Sequence, residues 1–495
     1  MEKGGKSDNM SDLICVFDVG TTGARTIVFD IDGNEIARDY EEYLVPKQPV
    51  GISEQDPLIW WNAIKKTCKN ISQKINVNDI IGISGAFLRE TLTFLDDKGN
   101  PLHQALTWLD ERSESSAKEW VEQEGGLRRA LPKILWIKEN KPDVYEKIYK
   151  IAFADTFIYN KLCNVFITDP TNGPFGVLNL ETLKWDERLA ERYGIPFELW
   201  PDLYTPGEVI DELNSNAAKE LSLPNNIPVI MGSGDQQCAA LGLGVIDEGQ
   251  AKITLGTGTF VDYITNKPIK PAGNIPIFSF PIPIKGKWTI EGIMPGTGTA
   301  MKWFKDNFSQ LQIKESLEKH INVYDILSNE ASTIPPGSEG LLFLPLYMFR
   351  KGAIHGLGWN HTRAHMIRAI MESAALSAQM YLQMLEAMGG EKVSEVKADG
   401  GAMNSPLWAQ ILADITARKI IIPEEKDGAA MGAAILGFYG TKNYETFEKA
   451  ITNMVRFLDT KEPIKENVKI YKKLNRFFMP PLLDLYEKKR ITKDL

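Results

Sequence analysis

An apolar strand, a turn of glycines and threonines and a second apolar strand occur twice in this sequence. Leu13-Ile14-Cys15-Val16-Phe17 enters the turn Asp18-Val19-Gly20-Thr21-Thr22-Gly23-Ala24-Arg25 and leaves through Thr26 to Phe29. Ala251 to Leu255 enters Gly256-Thr257-Gly258 and leaves through Thr259 to Tyr263. A tight turn between paired strands aims several backbone N–H groups and its hydroxyls at one point, which is a cradle for phosphate oxygens. The repeat therefore predicts an α/β chain of two related lobes, each presenting such a hairpin to a shared cleft. Neither copy is a Walker A loop or a dinucleotide turn, because no helix follows directly and no Gly-Lys-Ser/Thr is present. Taken alone, Gly-Thr-Thr-Gly is equally an ordinary hairpin turn.

The length agrees with two lobes, since 495 residues exceed what one hydrophobic core organises. The break is expected near Asp247-Glu248-Gly249, giving an N-terminal domain over 13–247 and a C-terminal domain over 248–495 behind a loose polar tail, 1–12. A net charge of −9 without any Lys/Arg block excludes nucleic acid as an expected partner. The four cysteines, Cys15, Cys68, Cys163 and Cys238, are far apart and fit free thiols in a reducing compartment. No apolar leader opens the sequence, and the run Ala429 to Tyr439 is too short to cross a bilayer. The expected location is the cytoplasm, with no membrane partner.

Candidate chemistry gathers at strand ends. Pro228 to Met231 reads as a strand entering Gly232-Ser233-Gly234-Asp235-Gln236-Gln237. Asp235 is either the N-cap of the helix that follows or a general base at the lip of a cleft. Ile80 to Gly85 is a buried strand running into Arg89-Glu90-Thr91, a donor and an acceptor suited to hydroxyls, or else a surface ion pair. Further helices are expected over 56–73, 133–140 and 142–150, with Asp155 as the N-cap of another. A hairpin is expected over 91–107 and a strand or loop over 341–346. His361 and His365 open a long apolar helix over 364–388; capping is the expected role, ahead of a metal pair lacking a third ligand. Val393 to Ala398 reads as a strand ending at Asp399-Gly400-Gly401, where glycines leave bare backbone and Asn404 can hydrogen-bond an adenosine. Lys426 to Ala434 opens a close-packing helix of small residues.

These segments resemble the FGGY carbohydrate kinases over nearly the whole chain. The likeness rests on Asp18-x-Gly-Thr-Thr-x-x-Arg25, Gly234-Asp235-Gln236-Gln237, Gly256-Thr-Gly-Thr-Phe260 and Asp399-Gly-Gly401. It is strongest at Gly352-Ala353-Ile354-His355-Gly356-Leu357, seven further residues, and His365-Met366-x-x-Ala369-Ile370-Met371-Glu372. The resemblance implies two ribonuclease-H-like domains, as in actin, with ATP and sugar meeting in the central cleft. It implies that Asp235 takes the proton of a primary hydroxyl and that Asp18, with Asp235 beside it, serves the Mg²⁺ site. Thr21, Thr22 and Arg25 would face the transferred phosphoryl group. Gly256, Thr257, Gly298, Gly401 and Asn404 would hold the phosphates and adenosine of ATP or ADP.

Arg89-Glu90-Thr91, Trp108-x-Asp110-x-Arg112, Asp235-Gln236 and Phe260 are similar to the polyol site of glycerol kinases. Glycerol kinases also carry a Tyr shortly before the Lys that aligns with Lys133, whereas Leu127 to Pro132 contains no aromatic residue. Pro132 to Trp136, Gly242-Leu243-Gly244 and Pro335-Pro336-Gly337-Ser338 resemble xylulokinases and autoinducer-2 kinases instead. The Gln-Met-His of xylulokinases is replaced here by Phe87-Leu88-Arg89. The expected reaction is ATP-dependent phosphorylation of a small linear sugar or polyol, a pentulose such as xylulose ahead of glycerol or the autoinducer-2 precursor. The expected partners are that sugar and ATP/ADP, with a homodimer as the assembly to test. An actin-like ATPase or nucleotide switch would share the fold without needing Arg89-Glu90 or Asp235-Gln236.

Overall fold

The computed structural model describes residues 12–46, 48–49, 51–114, 130–269, 277–344, 352–425 and 427–492, with side chains to residue 478. The expectations for residues 1–11, 127–129, 345–346 and 426 lie outside the described residues.

The first repeat forms a three-stranded meander. Leu13–Val19 pairs antiparallel with Gly23–Asp30, which pairs antiparallel with Glu35–Glu42. Ile80–Phe87 then joins parallel to Leu13–Val19, and Pro228–Ile230 joins parallel beyond it. The second repeat builds the same order. Ala251–Leu255 pairs with Thr259–Thr265 and that strand with Trp288–Met294, while Glu395–Asp399 and Lys419–Pro423 add in parallel on the other side. Two sheets of one topology, each with a glycine-rich hairpin at its middle, match the expected pair of related lobes.

Alternation explains how the first sheet is covered on both faces. Successive side chains of a strand point to opposite sides. Cys15, Phe17 and Val19 pack with Trp60, Ile64 and Cys68 of the helix Pro57–Ile71. Ile14 and Val16 pack on the other face with Ala430, Ala434 and Phe438 of the helix Gly428–Gly440. Every residue of Leu13–Val19 is buried in consequence. The second sheet is backed by Arg363–Gly389, a helix buried nearly all round, as its apolar composition predicts.

The helix Gly428–Gly440 also lies against Asp235–Gly242, backbone to backbone. A Cβ on Gly432 would lie 1.9 Å from the Cys238 carbonyl oxygen, and one on Gly242 would lie 2.0 Å from that of Gly428. The small-residue run exists for this contact. It brings a helix from late in the sequence against the turn that carries Asp235.

Two local expectations differ from the structure, and a third, the capping role of the histidine pair, agrees with it. The helix expected over 142–150 ends at Tyr145, and Lys150–Phe153 is a strand paired with Leu92–Leu95. Sheet pairing there overrides local helix preference. Asp155 is not an N-cap: the helix begins one residue earlier, at Ala154, and the Asp155 carboxylate is buried. His361 and His365 are not a metal pair in form; the His365 Nδ1 accepts from the Thr362 backbone N at 3.1 Å, a capping contact. No group of three metal-ligating side chains occurs among the described residues, and no described helix is long and apolar enough to cross a membrane.

Candidate active site

Asp235 is the first residue of the helix Asp235–Gly242, with Gly234 at the N-cap position. Its Oδ1 accepts from the next backbone N, that of Gln236, at 2.8 Å. The capping alternative thus describes one oxygen and only the adjacent amide. The side chain keeps 33% of its surface exposed, and its Oδ1 is 3.4 Å from Arg89 Nε. Asp235 is also near enough to Asp18 to raise that carboxyl. The two acids predicted for acceptor and metal therefore lie close enough for their charges to interact.

Arg89 and Glu90 follow the buried strand Ile80–Phe87, and neither is a surface residue. They do not pair with each other. Arg89 Nη2 donates to both carboxylate oxygens of Glu291, at 2.8 and 2.9 Å, from across the lobes. Its guanidinium lies over Phe280, 4.4 Å from the ring centre. Burial drives the Glu291 carboxyl upward, while Arg89 pulls it back toward the charged form. Glu90 adopts φ 59°, a costly conformation for a side chain of this size. Lys133 Nζ holds it there by donating to its carbonyl at 3.2 Å and to Oε1 at 3.0 Å. Trp108 Nε1 donates to Thr21 Oγ1 at 3.0 Å, which ties the predicted acceptor-side ring to the first hairpin turn. Gln236 Oε1 accepts from Lys252 Nζ of the second lobe at 2.7 Å. Phe260 is the second residue of the strand Thr259–Thr265, half-buried beside the second hairpin turn.

Asp18 lies next to the end of the first strand, directly opposite Arg25 in the register. Arg25 Nη1 lies 3.2 Å from Asp18 and also pairs with Asp427, which caps the helix Gly428–Gly440. Burial, then the Asp427 charge, then that of Asp235 push the Asp18 carboxyl up to about 7, against the pull of Arg25. Arg38 reaches the same corner, its Nη1 lying 3.6 Å from Asp427, so these acids share two guanidinium groups. Thr22 is exposed and Thr21 half-buried on the same turn.

The second hairpin and two later turns converge. Gly298 N donates to the Thr257 carbonyl at 3.2 Å, and a Cβ on Gly298 would lie 2.0 Å from the Gly256 carbonyl oxygen. Gly400 has φ 89°, and a Cβ there would lie 2.5 Å from the Leu255 carbonyl oxygen, so that turn seats directly on the end of the hairpin strand. Gly256 and Gly401, in contrast, face open space: a Cβ on either would meet nothing within 4 Å. Backbone left open in this way can accept phosphate oxygens. Asn404 is exposed at the end of the 3₁₀ turn Gly401–Asn404.

Several residues at this site went unassigned in the sequence. Lys252 and Asp262 are fully buried and 2.7 Å apart. They are cross-strand partners about the Gly256-Thr257-Gly258 turn, and Asp262 is in turn opposite Glu291. Each is a lone charge in an apolar strand, and counting register outward from the turn would have matched them. Thr254 Oγ1 donates to Asp399 Oδ1 at 2.5 Å, and burial pushes the Asp399 carboxyl up to about 6. Asp427 had no sequence signal beyond its place before a helix. The signature acid Glu372 is structural: it accepts from Gly337 N at 2.9 Å and Ser338 Oγ at 2.8 Å.

Residues 13–242 match the N-terminal domain of the FGGY family of carbohydrate kinases, and residues 251–441 match its C-terminal domain. The gluconokinase of Bacillus subtilis is 27% identical over 494 residues, covering 95% of each chain. The autoinducer-2 kinase of Yersinia enterocolitica is 30% identical over 501 residues, covering 93% of this chain and 92% of that one. Among solved structures, a ligand-bound xylulose kinase from Lactobacillus acidophilus superposes with a TM-score of 0.84 at 23% identity, covering 96% of this chain and 98% of that one. The glycerol kinase of Plasmodium falciparum with ADP superposes at 0.78 and 23% identity, covering 94% and 97%. The two-lobed actin-like fold and the family match together make this chain a phosphotransferase, a sugar kinase belonging to the FGGY family of carbohydrate kinases.

Proposed function

We propose that the chain moves the terminal phosphoryl group of ATP onto a primary hydroxyl of a small, neutral, linear sugar or polyol, with a pentulose such as xylulose the first candidate. The observation that carries this reading is the placement of Asp235: its carboxylate heads a helix after a glycine turn, stays part-exposed beside Arg89 and lies near enough to Asp18 to raise that carboxyl. A carboxylate able to reach the acceptor hydroxyl, with charged groups placed for the phosphates, is what transfer from a nucleotide to an alcohol calls on.

In this reading Asp235 takes the hydroxyl proton as the oxygen forms its bond to phosphorus and the bond to ADP breaks. Arg89, Glu90, Trp108, Gln236 and Phe260 surround the acceptor. Thr21, Thr22 and Arg25 face the moving phosphoryl group, and Gly256, Thr257, Gly298, Gly401 and Asn404 hold the nucleotide. Asp18, with Asp427 and Asp235 nearby, is the carboxylate that would hold a divalent cation. Mg²⁺ bound there would neutralise phosphate charge as it shifts toward ADP.

Charge pairing supports a neutral acceptor. Arg89, Lys133, Arg112 and Lys252 already face Glu291, Glu90, Asp110 and Asp262 respectively. A sugar acid such as gluconate needs a cation to spare, and these four cations, among the described residues, are committed to carboxylates.

The test is ADP release over a panel of xylulose, ribulose, erythritol, glycerol, the autoinducer-2 precursor and gluconate. The reading expects release that depends on an added neutral acceptor. ADP release indifferent to every acceptor would support a nucleotide switch instead, and preference for gluconate would overturn the neutral-acceptor assignment.

A further inference from the structure

Three consecutive residues lead into Asp235, and each is held by a different side chain from one stretch of the first lobe. Tyr159 Oη accepts from Gly232 N at 2.6 Å. Asp169 Oδ2 accepts from Ser233 Oγ at 2.9 Å. Thr171 Oγ1 accepts from Gly234 N at 3.1 Å while donating to Asp169 Oδ1 at 2.8 Å. A second acid stands behind these. Asp155 Oδ2 accepts from Thr168 Oγ1 at 2.7 Å and from Asp169 N at 3.2 Å, so it fixes the turn that carries Asp169.

Every member of this set is buried, from Asp155 and Tyr159 through Asp169 and Thr171 to Ser233. Two carboxylates in an interior are costly unless hydrogen bonds meet their lone pairs, and packing alone is served as well by apolar residues. Here nearly all those bonds are directed at one turn and the loop that grips it. The opposite side of the turn is closed by backbone: a Cβ on Gly232 would lie 1.8 Å from the Gly85 carbonyl oxygen. The strand end prevents the turn from moving inward, and the three hydrogen bonds prevent it from lifting away.

We propose that Asp169, acting through Ser233 and Thr171, is a positioning residue that sets the direction in which Asp235 projects toward the acceptor. This rests on the reading of Asp235 as the base. A base works only within hydrogen-bond reach of its proton, and a displacement of about 1 Å costs roughly 10²-fold in rate. The segment Asp155 to Thr171 touches neither the predicted acceptor residues nor the nucleotide turns through any of these bonds. Its loss is therefore expected to fall on turnover more than on binding, with Thr171→Val the cleaner probe because the Arg89 charge also reaches Asp169.

The experiment uses the full-length enzyme, ATP and whichever acceptor of the panel above is turned over fastest. Thr171→Val, Thr171→Ser and Asp169→Asn are compared with wild type and with Asp235→Asn. Thr171→Val and Asp169→Asn are expected to lower kcat by about 10-fold or more with the KM of acceptor and ATP nearly unchanged. Thr171→Ser, which keeps the hydroxyl, is expected to retain most of the wild-type kcat. If Asp169→Asn fails to fold, the isosteric Thr171→Val and Thr171→Ser pair decides. Wild-type kcat in Thr171→Val, or equal losses in Thr171→Val and Thr171→Ser, with Asp235→Asn inactive, overturns the positioning role alone. An active Asp235→Asn variant removes the base reading and this proposal with it.

Discussion

Nη2 of Arg89, at the end of a first-lobe strand, donates to both carboxylate oxygens of Glu291, on a second-lobe strand, at 2.8 and 2.9 Å. The side chain of Arg89 is 6% exposed and that of Glu291 is fully buried. The guanidinium that flanks Asp235 is thus supplied by one lobe and held by the other, so the proposed acceptor site lies where the lobes meet. Removing one partner from a buried pair leaves a bare charge, at a cost of about 3–5 kcal/mol. Glu291→Ala is expected to destabilise the protein by that amount in urea unfolding and to raise the acceptor KM. The double variant Arg89→Met/Glu291→Leu should recover much of the stability and none of the acceptor affinity. Recovery of both would show that Arg89 serves packing only.

Gln236 is oriented by its neighbour. Lys252 can only donate, so the amide oxygen facing it at 2.7 Å leaves the Gln236 amide N–H groups directed elsewhere, as donors. Gln236→Glu keeps the Lys252 contact and removes those donors. The acceptor KM is expected to rise by about 3- to 10-fold, the worth of one neutral hydrogen bond, with the ATP KM unchanged. A larger effect on ATP than on the acceptor would place Gln236 on the wrong side of the cleft.

Buried acids give stability a pH signature. Burial raises Asp155 from 3.8 to about 7, Asp169 from 3.8 to about 6 and Asp399 from 3.8 to about 6. A raised acid binds its proton more tightly in the folded chain than in the unfolded one. Between about pH 4 and pH 7 the native state therefore holds more protons, and stability falls as pH rises. The melting temperature at pH 5.5 is expected to exceed that at pH 8 at matched ionic strength. A melting temperature that climbs across this interval would mean that these carboxylates are ionised and satisfied in the fold.

The lobes were readable because the hairpin repeat carries its own strand order: two copies of one pattern produced two sheets of one topology. Asp18, Arg25, Arg89 and Asp235 stood out as site candidates because each lies in or just past a strand end beside a glycine turn or in a family motif. What escaped was long-range. Asp169 is 64 residues from Ser233, and Glu291 is 202 from Arg89. No local periodicity encodes either contact. Lys252 and Asp262 form the intermediate case, since they lie symmetrically about a turn that had been located and needed only a count of register. Lys150 was misassigned because pairing with Leu95 outweighs the helix preference of the residues before it.

The central claim is that Asp235 receives the proton of an alcohol during phosphoryl transfer. It is tested most directly by measuring acceptor-dependent ADP release in Asp235→Asn alongside nucleotide affinity. The account predicts loss of acceptor-dependent release by about 10²-fold or more, in the range expected for a general base, with ATP still bound at wild-type affinity. Acceptor-dependent release near the wild-type rate in that variant would contradict it.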